Sequence, residues 1–172
     1  GRLPVKEDGT VTVPVEDLNA GDYTVDVSYS GDNNYKPHKE TGSFSVDKST
    51  PSVSVEGTNI DYGESETITV NVTGKNITGN VTITIGGKVY GTVNLTQTEE
   101  GATVVLDIPG LSGGKHTVKA VYNGDKNHYS NQSEDQFEVS KVEPSIDVEP
   151  TDIAFGDDEI IKIHFHTNEP WK

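Results

Sequence analysis

Apolar and polar residues alternate along most of this chain, in short stretches separated by glycine, asparagine or aspartate. A period of two is typical of β-strands with one face buried and the other in water. Between Thr50 and Val139 the alternation predicts seven strands, which carry Val53 and Val55; Ile68 to Val72; Val81 to Ile85; Val89 to Leu95; Val104 to Ile108; His116 to Tyr122; and Phe137 with Val139. Gly86 and Gly87 follow the third of these strands and predict a tight hairpin turn.

The two flanking parts of the chain show the same alternation. Before Thr50 it predicts three strands, at Val11 to Val15, at Tyr23 to Tyr29, and around Phe44 and Val46. After Val139 it predicts two, around Ile146 and Val148 and from Ile161 to Phe165. No stretch shows a useful length of helical periodicity, so the chain is predicted to be all-β.

A shift of about 93 positions superimposes the sequence on itself. The shift pairs Gly21 with Gly114, Tyr29 with Tyr122, Gly31 with Gly124, Phe44 with Phe137, Pro51 with Pro144, Gly63 with Gly156 and Ile68 with Ile161. Taking His128 as an inserted residue also pairs Tyr35 with Tyr129. A repeat of this length is a small domain rather than one turn of a solenoid. We therefore expect the C-terminal half of one repeat at 1–48, a complete repeat at 49–140, and the N-terminal half of another at 141–172.

The complete repeat has seven short alternating strands in about 90 residues, a pattern typical of an immunoglobulin-like (Ig-like) β-sandwich. The predicted fold is thus a tandem array of such sandwiches. A half-sandwich exposes its apolar face and unpaired backbone groups, and therefore needs a partner. We expect head-to-tail completion between chains, which would generate a filament. The predicted interface residues are Tyr23, Phe44, Ile161, Ile163 and Phe165. Alternatively, the chain is a window on a longer polypeptide. The two halves together also lack a counterpart of the stretch Val81 to Tyr90, which weakens the hypothesis that they complete one sandwich.

The chain is acidic, with 28 Asp and Glu against 13 Lys and Arg and a net charge of −15. This charge argues against partners such as nucleic acid or acidic membrane lipids. No apolar run is long enough to cross a membrane, and no signal peptide is recognisable, so we expect no direct membrane insertion. Cysteine is absent, which excludes disulfides and thiol chemistry.

Five triplets match the acceptor pattern for N-glycosylation, at Asn71, Asn76, Asn80, Asn94 and Asn131. A few would arise by chance in a chain rich in Asn and Thr. Their placement is more informative, because Asn71, Asn80 and Asn94 alternate with the apolar residues of their strands. We place Asn76 and Asn131 in loops. Glycosylation at these residues would require a secreted or surface protein.

Two groups of residues have the chemistry of cation ligands. Asp157 and Asp158 crowd a loop of the last repeat, beside Asp152 and Glu159. Asp61 and Glu64 occupy the matching loop of the complete repeat, beside Glu66. Such loops suit calcium, although they lack EF-hand spacing and acidic loops usually contact water alone. His164 and His166 lie two apart on one strand, with Glu169 nearby, but exposed polar positions explain them more simply. We expect no other cofactor.

The tracts LNAGDYTVDVSYSGDNNY, from Leu18 to Tyr35, and LSGGKHTVKAVYNGDKNHY, from Leu111 to Tyr129, resemble the signature of bacterial group 3 Ig-like repeats. Such repeats occur in tandem in adhesin-like surface proteins of bacteria and methanogenic archaea. The resemblance covers the whole chain and implies a role in a cell-surface stalk, adhesin or extracellular filament. The abundance of glycosylation triplets favours an archaeal source.

Within this signature, Tyr23 lies where Ig-like domains place a corner tyrosine, and the second copy has His116 there, which makes a hydroxyl bond doubtful. Gly31-Asp32 and Gly124-Asp125 are interpreted as turn formers, with a cation site as the weaker alternative. The expected partners are neighbouring repeats or further copies of the chain. The alternative function is an adhesion module that binds a cell-surface carbohydrate or protein through its loops. No catalytic motif is present, so we do not expect an enzyme.

Overall fold

A computed structural model describes residues 3–167, which form an all-β protein without helices in that range. The strands of the complete repeat are β3 (Ser52–Glu56), β4 (Ile60–Asp61), β5 (Glu66–Thr73), β6 (Asn80–Ile85), β7 (Lys88–Asn94), β8 (Thr96–Gln97), β9 (Gly101–Ile108), β10 (Gly114–Tyr122) and β11 (Asn131–Ser140). Before them lie β1 (Gly21–Tyr29) and β2 (His38–Val46), and after them β12 (Ser145–Glu149) and β13 (Lys162–His166).

The complete repeat is an Ig-like β-sandwich of two sheets. One sheet has the order β3-β5-β9-β8 and the other the order β4-β11-β10-β6-β7. All neighbours are antiparallel except β4, which pairs with β11 in parallel. Gly86 and Gly87 both have positive φ, at 57° and 83°, and form the predicted turn between β6 and β7.

The buried core lies between these two sheets, as the alternation predicts. Its apolar residues are Val55, Ile68, Val70, Val72, Ile77, Val81, Ile83, Ile85, Ala102, Val104, Ile108, Leu111, Val118, Ala120, Tyr122, Phe137 and Val139. Every one of them belongs to the complete repeat. Burial of apolar surface between the sheets is the main force that stabilises this unit.

The two flanking hairpins repeat the register of the complete sandwich. β1 pairs with β2 from Gly21↔Val46 to Tyr29↔His38, as β10 pairs with β11 from Gly114↔Val139 to Tyr122↔Asn131. Likewise β12 pairs with β13 as β3 pairs with β5. Each hairpin forms a two-stranded sheet of its own.

The strand predicted at Val11 to Val15 is wrong, because this segment has no strand conformation and its valines are 45 to 62% exposed. The matching residues of the complete repeat, Val104 to Ile108, lie in β9 and pair with β5. The described part of the first unit has no counterpart of β5. A strand forms only where its backbone groups find partners, and these are missing here.

Two smaller predictions also need correction. Asn131 begins β11 rather than lying in a loop. His128 is not an inserted residue, because Asp32 N–H donates to the Tyr35 carbonyl at 2.9 Å and Asp125 N–H donates to the His128 carbonyl at 3.1 Å. Tyr35 therefore matches His128, and the repeat shift is constant through this loop.

Candidate functional site

The loop 123–130, between β10 and β11, is organised by the carboxylate of Asp125. Its Oδ1 accepts hydrogen bonds from Asn127 N–H at 2.7 Å and His128 N–H at 2.9 Å, and also contacts His128 Nδ1 at 2.8 Å. Its Oδ2 accepts from the Thr78 N–H and hydroxyl, at 3.0 and 2.7 Å. Gly124 has φ of 80°, and a side chain there would contact the loop backbone. Asp125 is thus a turn former, as predicted.

Burial and these hydrogen bonds shift the pKa values of Asp125 and Tyr122. Burial of Asp125, whose side chain is 9% exposed, acts to raise its pKa. The hydrogen bonds from Thr78, Asn127 and His128 outweigh burial and hold the pKa well below the usual range. Burial, with the Asp125 carboxylate nearby, raises the pKa of Tyr122. The Tyr122 hydroxyl donates to the Thr78 carbonyl at 2.9 Å.

The same loop holds the segment that connects it to the first unit. Ser49 N–H donates to the Asn127 carbonyl at 3.0 Å, and Tyr129 N–H donates to the Ser49 carbonyl at 2.9 Å. Lys48 Nζ donates to the Asp125 carbonyl at 2.7 Å. The connecting segment therefore adds to the loop as a short parallel bridge, instead of running free through solvent.

Asn127 also contacts the turn that precedes β1. Its side-chain Oδ1 accepts from Ala20 N–H at 2.9 Å, and its Nδ2 donates to Asn19 Oδ1 at 3.0 Å. Lys75 pairs with Asp17 at 3.3 Å, with both side chains 80% exposed. We call the assembly of residues 17–20, residues 48–49, Lys75 and residues 124–129 the joint. It connects two units through the backbone, the connecting segment and side chains together.

The candidate glycosylation residues fall into two groups. Asn71, Asn76 and Asn94 are exposed, and Asn76 lines an open cleft of about 510 Å³ beside the joint. Asn80 is half-buried, and its Oδ1 accepts from Asn123 at 2.6 Å. Asn131 donates from Nδ2, the atom that would carry a glycan, to the Pro51 carbonyl at 2.9 Å. Glycosylation stays a prediction, and the geometry favours the exposed group.

The acidic segments are bonded to their own backbone, and Asp61, predicted in a loop, is instead the last residue of β4. Glu64 accepts at Oε2 from Asp61 N–H at 3.0 Å. Asp157 N–H donates to the Ala154 carbonyl, which repeats the bond from Glu64 N–H to the Asp61 carbonyl, each at 3.1 Å. Asp157 and its neighbour Asp158 are exposed. Within residues 3–167 no three His, Asp or Glu side chains are placed to hold a metal ion, and calcium stays a prediction.

The two histidines of β13 lie beside acidic side chains of β12. His164 Nε2 is 3.5 Å from Glu149 and His166 Nε2 is 2.8 Å from Asp147. Their third candidate ligand, Glu169, lies outside the described residues.

One buried group was missed by the sequence analysis. Glu66 is fully buried, and it accepts a hydrogen bond from Thr58 N–H at 2.7 Å. Thr151 N–H and Glu159 form the same bond at 2.8 Å in the third unit. The repeat shift pairs both residues, so the signal was available in the sequence. These two glutamates hold loops rather than face a ligand.

The corner residue forms its bond in both copies. Tyr23 donates its hydroxyl to the Asn19 carbonyl at 2.8 Å. His116 Nε2 bonds the matching Ser112 carbonyl at 2.7 Å, so the bond that seemed doubtful in this copy is made by an imidazole. Tyr23 also stacks on Phe44, as His116 stacks on Phe137.

The predicted interface residues all lie outside the buried core. Tyr23 is half-buried, whereas Phe44, Ile161, Ile163 and Phe165 are 42 to 55% exposed. Ile161 itself precedes β13, which begins at Lys162. Their role in assembly stays a prediction.

A family model described as bacterial Ig-like domain (group 3) matches residues 53–140. Domains of this family are non-enzymatic binding or structural modules, typically of extracellular or surface proteins. The comparison with curated proteins gives no match, and the residues that the structure describes include no helix able to span a membrane. Because the matched segment covers more than half of the 172 residues, the chain belongs to the bacterial group 3 Ig-like domain family.

Proposed function

We propose that this chain is a structural segment of an extracellular stalk, adhesin or filament, in which consecutive Ig-like units are held by hydrogen-bonded joints. The observation that carries the proposal is the joint itself. A flexible tether would leave the connecting segment solvated. Here Ser49 is bonded through both its N–H and its carbonyl, and Asn127 is bonded through both side-chain polar atoms.

The joint opposes both bending and rotation between the units. The backbone hydrogen bonds of Ser49 form one attachment between the units. The side-chain hydrogen bonds of Asn127 to Asn19 and Ala20 form a second attachment, at the turn before β1. Two separate attachments restrict rotation more than one does. The shared negative charge of −15 also opposes collapse of the units onto each other. A rod that transmits force needs both properties.

Assembly between chains extends the same proposal. The β1–β2 hairpin matches β10–β11 and the β12–β13 hairpin matches β3–β5 in register. In the complete repeat β3 packs against both β10 and β11. In the proposed contact, the first hairpin of one copy and the last hairpin of another supply facing parts of one sandwich. A head-to-tail contact of this kind does not close, and it lengthens the rod.

Joint rigidity is tested by residual dipolar couplings of the full chain, which report whether two units share one orientation. We expect one common alignment for β1–β2 and the complete repeat. Asn127→Ala should loosen it, whereas Lys126→Ala, at an exposed neighbouring residue, should not. Independent alignment in the unmodified chain would overturn a rigid joint.

Binding to carbohydrate or protein through the loops is the competing function. Glycan arrays and pull-downs with the full chain separate the two functions. A structural segment shows no saturable binding. A specific ligand with a measurable dissociation constant would instead make the chain an adhesion module.

A further inference from the structure

The segment that enters the complete repeat and the strand that leaves it lie side by side in parallel. Ser49 pairs with His128 in a parallel bridge. Ile60 pairs with Val139 in the parallel ladder of β4 and β11. The two pairs have the same offset in sequence, so they belong to one register.

Side chains continue this register where the backbone pairing is interrupted. Between the two pairs lies β3, which belongs to the other sheet. Asn131 Nδ2 donates to the Pro51 carbonyl at 2.9 Å, just before β3. Asp135 Oδ2 accepts from Gly57 N–H at 3.1 Å, just after it. These two side chains of β11 therefore attach the chain at both ends of β3.

Two further hydrogen bonds attach the segment around β4. Glu138 N–H donates to Asn59 Oδ1 at 2.8 Å. Tyr62 N–H donates to the Ser140 carbonyl at 2.9 Å. Because Ser140 is the last residue of β11, the attachment extends to the point where the chain leaves the sandwich.

We call the contact between residues 49–62 and residues 127–140 the seam. Its side chains are not all repeated along the chain, because the first unit has Gly42 where the complete repeat has Asp135. The β1–β2 hairpin nevertheless keeps the register of β10–β11. The hairpin therefore forms without this side chain, and the bond of Asp135 to the entering segment needs another explanation.

The direction of the seam suits it to carry tension. In a stalk, tension enters the complete repeat at Ser49 and leaves it at Ser140. The two parallel segments are then pulled toward opposite ends of the sandwich. The bonds of a parallel ladder are evenly spaced and run across the strands, so tension loads them together rather than one after another.

We propose that the seam bears the tension carried through the complete repeat, and that its rupture limits the rate of forced unfolding. This rests on the stalk function proposed above and adds which contacts resist the load. Forced unfolding is governed by the unfolding rate. Substitutions in the seam should therefore accelerate unfolding under load more than substitutions elsewhere in the same sandwich.

Force-clamp spectroscopy of the full chain, held by its two ends between marker domains, measures this rate. None of the described residues of the flanking hairpins belongs to the buried core, so these hairpins should extend first. Rupture of the complete repeat should then release about 300 Å of chain, which is the extended length of the repeat less the length of the folded unit.

Asn59→Ala and Thr92→Ala form a matched pair, because each removes one exposed side-chain bond. Asn59→Ala removes an acceptor of the seam and should raise the unfolding rate at fixed force about threefold. Thr92 bonds the Thr82 hydroxyl at 3.0 Å, on β7 at the opposite edge of the same sheet, and Thr92→Ala should leave the rate unchanged. Asp135→Ala removes a carboxylate acceptor and should raise the rate about tenfold.

Urea titration of the same variants shows whether each one folds. Equal acceleration by Asn59→Ala and Thr92→Ala would overturn the proposal, as would a folded Asp135→Ala variant that unfolds under load at the original rate. If Asp135→Ala does not fold, the exposed pair decides alone. A joint that bends freely or a saturable ligand would overturn the stalk function without changing these rates. A seam that bears no load would leave the alignment of the units, measured without force, as it is.

Discussion

The first unit and the complete repeat carry the same tyrosine and aspartate, at Tyr29 and Asp32 and at Tyr122 and Asp125. In the first unit the Tyr29 hydroxyl donates directly to Asp32 Oδ2 at 2.6 Å. This hydrogen bond is the main cause that raises the pKa of Tyr29 and lowers the pKa of Asp32. In the complete repeat Thr78 bonds to both side chains: its N–H and hydroxyl donate to Asp125, and its carbonyl accepts from the Tyr122 hydroxyl.

The difference between the two units separates features that form from residues close in sequence from features that need distant residues. The Asp turn and the hairpin register form in both units, because their partners are a few residues away in the sequence. Burial requires the opposite sheet. Tyr122 is fully buried, whereas Tyr29 is half-buried. Paired substitutions at matching positions therefore test which of these contacts stabilise the complete repeat.

The largest expected contrast is at the tyrosines. Tyr122→Ala removes a fully buried aromatic side chain and its bond to Thr78, and it should cost about 3 to 5 kcal/mol of unfolding free energy. Tyr29→Ala should change the unfolding of the complete repeat by less than about 0.5 kcal/mol. Urea titration followed by far-UV circular dichroism measures both. A loss below about 1 kcal/mol at Tyr122 would contradict its place in the core.

The aspartates should give the next contrast. Asp125→Asn removes the carboxylate that accepts bonds from Thr78, Asn127 and His128, and it should cost about 2.5 kcal/mol. The exposed counterpart, Asp32→Asn, should leave the complete repeat unchanged. Equal effects of the two substitutions would show that the Thr78 bonds add nothing.

The same aspartate predicts a pH dependence. The folded-state pKa of Asp125 lies below its unfolded value of about 3.9, so the unfolded chain binds the proton more readily. The stability it contributes is complete above about pH 5 and is lost as the pH falls toward the folded pKa. Asp125→Asn should flatten this acid limb in thermal melts, and Asp32→Asn should not alter it for the complete repeat.

Much of the complete repeat was predictable from alternation alone. Its valine and isoleucine positions on β5, β6 and β10 are buried as expected, because period-two patterns report which face meets the core. The paired glycines that follow β6 also predicted the hairpin turn, because such a turn needs positive φ at both residues. These features depend on residues close together in the chain.

The joint was not predicted, because its partners are far apart in sequence. Asn127 bonds Ala20 at a separation of 107 residues, and no periodicity marks such a pair. The Val11 to Val15 prediction failed for a related reason, since alternation reports a preference for pairing and not the presence of a partner. The repeat shift pairs Thr58 and Glu66 with Thr151 and Glu159, but Glu66 was interpreted as one of several acidic residues of a loop.

The buried glutamate gives the third contrast. Glu66→Ala leaves the Thr58 N–H without its acceptor inside the complete repeat and should cost about 2 kcal/mol. Glu159→Ala removes the same bond to Thr151 in an exposed unit. It should have no measurable effect on the unfolding of the complete repeat. A destabilising effect of Glu159→Ala on that repeat would mean that the third unit supports it.

The smallest contrast is at the corner, where an imidazole replaces a phenol. His116→Tyr should change stability by less than about 0.5 kcal/mol, because Tyr23 makes the matching bond to the Asn19 carbonyl. His116→Phe keeps the stacking surface against Phe137 and loses the bond to the Ser112 carbonyl, which should cost about 1 kcal/mol. Thermal melts of the two variants side by side separate the bond from the stacking. If both variants were equally destabilised, the corner would require the imidazole itself, and the two copies of the repeat would not be interchangeable at this position.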